Sequence, residues 1–216
     1  MTTELSPVPA GANAAMASGS PLRGAIGLAL VSLLGFGLAY AMAAVGAGQL
    51  LFPQTASGSL LERDGKVVGS RLVAQPFTGD GWFQPRPSAA RYDLMALAGS
   101  NQARTNPDLR ARVEVARSAV AAREGVDPAS VPGDLATQSG GGIDPHVTPE
   151  AAAIQVARVA RARGLAPEQV RQLLAAHVEA PQFGLFGQPR VNVLELNLAL
   201  DALAPAAVPT EQGDER

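Results

Sequence analysis

Between Gly24 and Gly48 the chain runs for twenty-five residues without a charged side chain. At about 1.5 Å rise per residue, such a run exceeds the roughly 30 Å hydrocarbon core of a bilayer, so one helix can cross with some tilt. A cleaved secretory signal is the competing reading, because Ala41, Ala43, Ala44 and Ala47 offer small residues at a cleavage point. A signal's apolar region covers only about 7–15 residues behind a basic segment. Here the run is longer, and the leader Met1–Pro21 holds one acid, Glu4, and no base. Length therefore favours an uncleaved transmembrane helix over residues 23–48. Gly24, Gly27, Gly35, Gly37, Gly46 and Gly48 either reflect a Gly/Ala-rich composition or let partner helices approach closely.

Orientation follows from the flanks. Arg23 is the base on the N-terminal side, and the next one along the chain is Arg63. The positive-inside bias then places the N-terminus in the cytoplasm and the C-terminal domain outside. Residues 1–22 read as a disordered leader, 49–205 as one extracytoplasmic domain and 206–216 as a disordered tail.

Seventeen bases against nineteen acids, a net charge of −2, argue against a nucleic-acid partner. Lys66 is the only lysine, and the absence of cysteine excludes disulfides, thiolate metal sites and cysteine nucleophiles. A phosphate-binding Gly-x4-Gly-Lys-Ser/Thr loop is excluded as well: Lys66 follows Gly65, but Leu60 and Val67 stand where Gly and Ser/Thr belong. The two histidines, His146 and His177, fall in a loop and near a helix end, so no metal site is expected.

Within the domain, Asp64-Gly65 separates two short apolar segments in Ser59–Ala74, a hairpin signal. Leu109–Arg123 is helical, with Asn106 or Asp108 as cap. Thr148-Pro149 opens a helix that carries Ile154, Val156, Ala157, Val159 and Ala160 on its apolar side and stops at Gly164. Ala166–Val178 is a further helix. Val191–Leu203 satisfies both strand and helix spacing, and its length tilts the reading to helix. The expected fold is α+β: one N-terminal transmembrane helix, then a helix-dominated domain with a small β-sheet. Arg158, Arg161 and Arg163 fall on more than one helix face and read as a solvated surface.

Three loops are unusually polar. Gly79–Ser88 holds Trp82, Phe83, Arg86 and Ser88 between prolines, either as a rigid contact surface or as a plug over the core. Gly99–Pro107, with Ser100 and Asn101, reads as a turn and cap or as a second contact. Thr137–His146 carries Gln138, Ser139, Gly140, Gly141, Gly142 and Asp144, a glycine run that can offer backbone N–H groups to an anion or simply connect elements. Asp80, Asp144 and His146 are the parts that an anchored periplasmic hydrolase, the alternative reading, would use.

The order of these loops resembles the C subunit of the Kdp-type potassium-transporting ATPase of bacteria. The match runs from Gly48-Gln49 and Phe52-Pro53 through Gly58-Ser59-Leu60, Gly69-Ser70, Arg86-Pro87-Ser88, Gly99-Ser100-Asn101 and Asn106-Pro107. It continues with Thr137-x-Ser139, Gly142-x-Asp144-Pro145, Gln155, Arg158-Val159-Ala160, Gly187-x-Pro189, Val191-Asn192-Val193 and Leu196 to Asp201. Gly141 stands where the family usually has Ser, and Ile143 where it has Leu. The resemblance implies a non-catalytic subunit of a plasma-membrane complex, without a covalent cofactor. Its partners would be the bilayer, a potassium-selective channel-like subunit and a P-type ATPase subunit, with potassium as the transported ion. It also implies a catalytic chaperone that raises the pump's apparent affinity for ATP, with Gln138–Asp144 as the nucleotide-linked loop. An external domain cannot touch cytoplasmic ATP, so the expected effect is coupling through the complex. The domain is expected to cap the outer face of the potassium-selective subunit, with Trp82, Phe83, Arg86, Ser88, Ser100 and Asn101 as contacts.

Overall fold

The computed structural model describes residues 21–205 and divides the chain into two compact units, one ending at Ser57 and the other beginning at Gly58. The tail expected at 206–216, and the leader apart from Pro21 and Leu22, lie outside the described residues.

The described part of the first unit is mostly one helix, α1, Pro21–Leu51, of 31 residues and mean hydropathy 2.1, long and apolar enough to cross a membrane. It extends past the expected bounds at both ends. Pro21 lacks only an N–H that a first helical turn leaves unpaired anyway, and no breaker follows until Phe52-Pro53. Leu33–Ala39, which contains Gly35 and Gly37, winds as a π-helical segment within α1. Phe52, at φ −139°, ends the helix, and Pro53–Ala56 adds a single turn.

The second unit begins with a hairpin of β1, Leu60–Arg63, and β2, Lys66–Ser70, paired antiparallel with a register shift between Leu61 and Glu62. Asp64 and Gly65 take φ of +52° and +73°, the signature of a type I′ turn, which matches the strand twist. A long stretch without regular elements follows, up to α2, Pro107–Glu124. Asn106 caps α2 by accepting the Asp108 N–H at 2.8 Å. Gly125, at φ +69°, closes it.

The short helix α3, Gly133–Ala136, leads to the glycine-rich loop and β3, His146–Val147. Thr148 caps the next helix by accepting the Ala151 N–H at 3.1 Å. The single helix expected to end at Gly164 is instead two, α4, Pro149–Ala153, and α5, Val156–Arg163. The backbone tightens at Gln155, whose N–H bonds the Ala152 carbonyl at 3.0 Å. That turn leaves the Gln155 side chain buried, while Ala157, expected on the apolar side, faces solvent.

Helix α6, Pro167–Ala176, precedes β4, Val178–Glu179, and β5, Arg190–Asn192. The order β3-β5-β4 makes a second antiparallel sheet, so among the described residues the small β component of the helix-dominated domain is divided between two sheets. The ambiguous segment after Arg190 uses both of its periodicities in turn. Val191 and Asn192 pair as strand, then α7, Val193–Leu203, begins with Asn192 accepting the Glu195 N–H at 3.2 Å. Val193, Leu196 and Leu200 of α7 meet Val156, Val159 and Ala160 of α5, Val170 and Leu174 of α6, Leu135 and Phe83 in one apolar core.

Candidate functional site

Residues 82–84 form no strand, yet their backbone is paired as if they did. The Asn197 side-chain amide accepts the Phe83 N–H at 2.9 Å and donates to the Phe83 carbonyl at 2.9 Å. Gln155 does the same for Gln84, accepting at 2.7 Å and donating at 3.2 Å. Two side-chain amides thus satisfy four main-chain groups, which would otherwise carry the cost of buried unpaired donors and acceptors. The Phe83 ring is fully buried in the core. Phe83 is thus a plug over the core, and its ring is closed to a partner, while Trp82, Arg86 and Ser88 of the same loop stay partly exposed.

Arg158 extends the grip. Its guanidinium donates to the carbonyls of Asp80 at 2.6 Å and Trp82 at 2.9 Å, and to Gln155 Oε1 at 2.9 Å. It also pairs with Glu124 at 2.9 Å, and both side chains are buried. Arg163 donates to the Gly81 carbonyl at 2.7 Å, pairs with Asp201 at 2.7 Å and lies 4.2 Å from the Trp82 ring centre. Trp82, half-buried, stacks in turn on Phe77, with ring centres 5.6 Å apart. Arg158 and Arg163 are therefore buried braces, which corrects their reading as a solvated surface. Their spacing put them on more than one face, but charge alone did not reveal that loop carbonyls would come to meet them.

The glycine-rich loop lies against this braced segment. The Ser139 N–H donates to the Pro87 carbonyl at 3.2 Å, and Ser88 Oγ donates to the Gly142 carbonyl at 2.6 Å. A Cβ on Gly142 would come within 2.9 Å of the Ala98 carbonyl oxygen, and the φ of Gly142 is +79°. Ser139 and Gly142 are buried, Gly140 and Gly141 exposed, and Gln138 half-buried with its Oε1 enclosed and without a protein hydrogen-bond partner. Tyr92 completes the seam: its N–H meets Ser88 Oγ at 2.9 Å and its hydroxyl donates to the Arg86 carbonyl at 2.7 Å. Burial raises the Tyr92 phenol above its ordinary pKa, against a smaller opposing pull from Arg123.

Ser100 and Asn101 sit beside this seam. Ser100 Oγ accepts from Arg112 at 3.2 Å, and exposed Asn101 takes φ +49°. Two of the three polar loops, those carrying Arg86, Ser88 and Gln138–Asp144, are thus hydrogen-bonded to each other, and the third reaches them through backbone contact. Sequence reasoning missed Glu124, Gln155, Asn197 and Asp201 as the residues that hold them. For Gln155, Asn197 and Asp201 a polar side chain inside an otherwise apolar stretch was the available signal, whereas Glu124 ends a helix rich in charge and carried none.

Charge concentrates at one end of the seam. Arg86 pairs with Asp144 at 2.9 Å, and His146 Nδ1 lies 3.5 Å from the same carboxylate. Burial alone would push the Asp144 carboxyl up. Hydrogen bonds from the His146 ring and N–H, and from Arg86, outweigh it and hold the carboxyl below its ordinary value. These residues line an open cleft of about 310 Å³ with Asp134, Thr148 and Arg190. Thr148 is engaged as a helix cap, and Asp134 accepts the Thr148 N–H at 2.7 Å. Asp80 is elsewhere, its carbonyl on Arg158. Among the described residues no group of three His, Asp or Glu side chains is arranged to hold a metal ion.

The architecture defines a class of chain in which one long apolar helix precedes a small α+β domain with side-chain-braced loops. The chain belongs to the KdpC family, described as the c chain of the K+-transporting ATPase, which matches residues 22–202. It is 59% identical over 180 residues to the potassium-transporting ATPase KdpC subunit of Xanthomonas oryzae pv. oryzae, covering 83% of this chain and 86% of that one. The KdpC subunit of Shewanella putrefaciens is 51% identical over 171 residues, covering 79% and 86%. That of Kineococcus radiotolerans is 50% identical over 180 residues, covering 82% and 91%.

Proposed function

We propose that this chain is an accessory, non-catalytic subunit of an ATP-driven potassium importer, acting by binding its partner subunits rather than by chemistry of its own. Family membership supports the complex. The observation that carries the mode of action is the inward engagement of the polar loops: Ser139 on Pro87, Ser88 on Gly142, and Arg158 on Asp80 and Trp82. Groups used in this way fix the shape of a contact surface. They are not left poised for a reacting substrate.

In this reading α1 spans the plasma membrane with the N-terminus in the cytoplasm, and the domain from Gly58 onward stands outside. It caps the potassium-selective, channel-like subunit, with Trp82, Arg86, Ser88, Ser100 and Asn101 near the contact. A domain on that side raises the pump subunit's apparent ATP affinity without touching nucleotide, by stabilising the conformer that binds ATP well. Linkage requires only that the two conformers differ in their affinity for the domain.

The test is potassium uptake by cells lacking this chain but producing the pump and channel-like subunits. High-affinity uptake should be lost and restored by the full chain, and undiminished uptake without it would reject the reading. Sidedness is tested separately, since the chain has no native cysteine. An Arg171→Cys variant should react with a membrane-impermeant thiol reagent added to sealed spheroplasts, and protection there would place the domain inside.

A further inference from the structure

The link between β4 and β5 ends in a knob that nothing above explains. From Ala180 to Pro189 the sequence is Ala-Pro-Gln-Phe-Gly-Leu-Phe-Gly-Gln-Pro, without a charge. Phe183, Leu185 and Phe186 are 83%, 80% and 66% exposed. Together they present roughly 400 Å² of apolar side chain, about the size of the largest patch on an ordinary soluble surface.

The knob is preformed. Gln182 and Phe186 exchange main-chain hydrogen bonds of 2.8 and 3.0 Å, the Leu185 N–H bonds the Gln182 carbonyl at 3.1 Å, and the Gly184 N–H bonds that of Pro181 at 2.9 Å. Phe183 and Gly184 take φ of +56° and +72°, the signature of a type I′ turn. The first of these positions favours Asn, Asp or Gly, because a bulky side chain there is strained in the left-handed region. An aromatic residue held in a strained turn and facing solvent calls for a compensating role elsewhere.

We propose that Phe183, Leu185 and Phe186 form a rigid anchor that inserts into an apolar, uncharged pocket on another subunit of the potassium-transporting complex. The proposal rests on the subunit reading above and adds the element that holds the domain in place. Two features favour a protein pocket over lipid. A fluid bilayer accepts any backbone conformation, whereas a fixed pocket rewards one that is already set. Phe is enriched, and charge depleted, at the centre of protein interfaces. The patch is also about half of the roughly 800 Å² that each partner contributes to a stable standard interface, so alone it makes an anchor and not a complete binding site. On a chain that α1 already keeps beside its partners, a contact of that size suffices through effective concentration.

The test uses the full chain co-produced with the channel-like and pump subunits. Changing Phe183, Leu185 and Phe186 together to Ser should lower co-purification of the chain with the other two subunits by about tenfold or more. The thermal midpoint of the isolated variant should stay within error of the unmodified chain, because the knob contributes nothing to the core. Phe183→Asn alone, which suits the turn, should also weaken co-purification while leaving the fold intact. Undiminished co-purification of the triple-Ser variant overturns the anchor while leaving the subunit reading standing. Failure of the unmodified chain to co-purify overturns both. The lipid alternative is read with Phe183→Cys carrying a fluorescent thiol label, in the full chain alone in vesicles of phosphatidylethanolamine and phosphatidylglycerol. Strong quenching by brominated acyl chains there overturns the proposal, whereas quenching no greater than at a labelled Arg171→Cys site supports it.

Discussion

Gly99 and Gly140 approach so closely that a Cβ on Gly99 would lie 2.5 Å from the Gly140 carbonyl oxygen. The contact is main chain against main chain, so no rotamer change can relieve an added methyl group. Gly99→Ala should destabilise the domain by about 1–3 kcal/mol, the usual cost of overpacking. Gly141→Ala, where a Cβ meets nothing within 4 Å, should fall within about 0.5 kcal/mol of the unmodified chain. Denaturant unfolding of the detergent-solubilised protein checks both, and equal stability of the two variants would refute the close approach.

Arg158 and Glu124 form a buried pair in which each side chain leaves the other exposed to desolvation if removed. Arg158→Met should cost about 3 kcal/mol, at the lower end for such pairs because Arg123 remains 2.7 Å from Glu124. Glu124→Leu should cost a similar amount. The double variant should cost clearly less than the two added together, and strict additivity in a double-mutant cycle would deny the coupling.

Asp144 makes stability depend on acid. Its folded pKa is lowered from the ordinary 3.8. The carboxylate's contribution is therefore fully present above that value and lost as pH falls through the lower, folded one. Melting temperatures of the unmodified chain should drop across this acid window by more than those of Asp144→Asn, which lacks the contribution at every pH. Parallel curves for the two proteins below pH 3.8 would contradict the assignment.

Trp82 is the only tryptophan, so intrinsic fluorescence reports directly on the braced loop. Arg163→Met removes the cation over the ring and the bonds to the Gly81 and Ala204 carbonyls. Its emission should move to longer wavelength as the ring gains water, and stability should fall by about 2 kcal/mol or more. Arg163→Lys should recover only part of both, because an ammonium group cannot reproduce the planar fork. An unchanged spectrum for the Met variant would refute the stacking.

Much of the fold was legible because its signals are local. Asp64-Gly65 marked the hairpin, Asn106 and Thr148 marked helix starts, and the uncharged run marked α1. The break at Gln155 was not legible, because a good helical pattern continues through it and the cause lies some seventy residues away, in the backbone of Gln84. Phe83 reads equally as plug or contact for the same reason: an aromatic in a proline-bounded loop carries no sign of which way it turns. The roles of Arg158 and Arg163 are the least legible. Their pairing with loop carbonyls depends on tertiary placement, which one-dimensional spacing does not encode.

Asn197 and Gln155 hold residues 83 and 84 through main-chain atoms, which every amino acid except proline presents alike. The clamp on residue 84 therefore does not depend on the identity of its half-buried side chain, whose own hydrogen bonds to the Gly79 and Trp82 carbonyls are long, at 3.5 Å. Domains built this way can retune what they show to a neighbour while the scaffold beneath stays as it was, provided the two amides are kept.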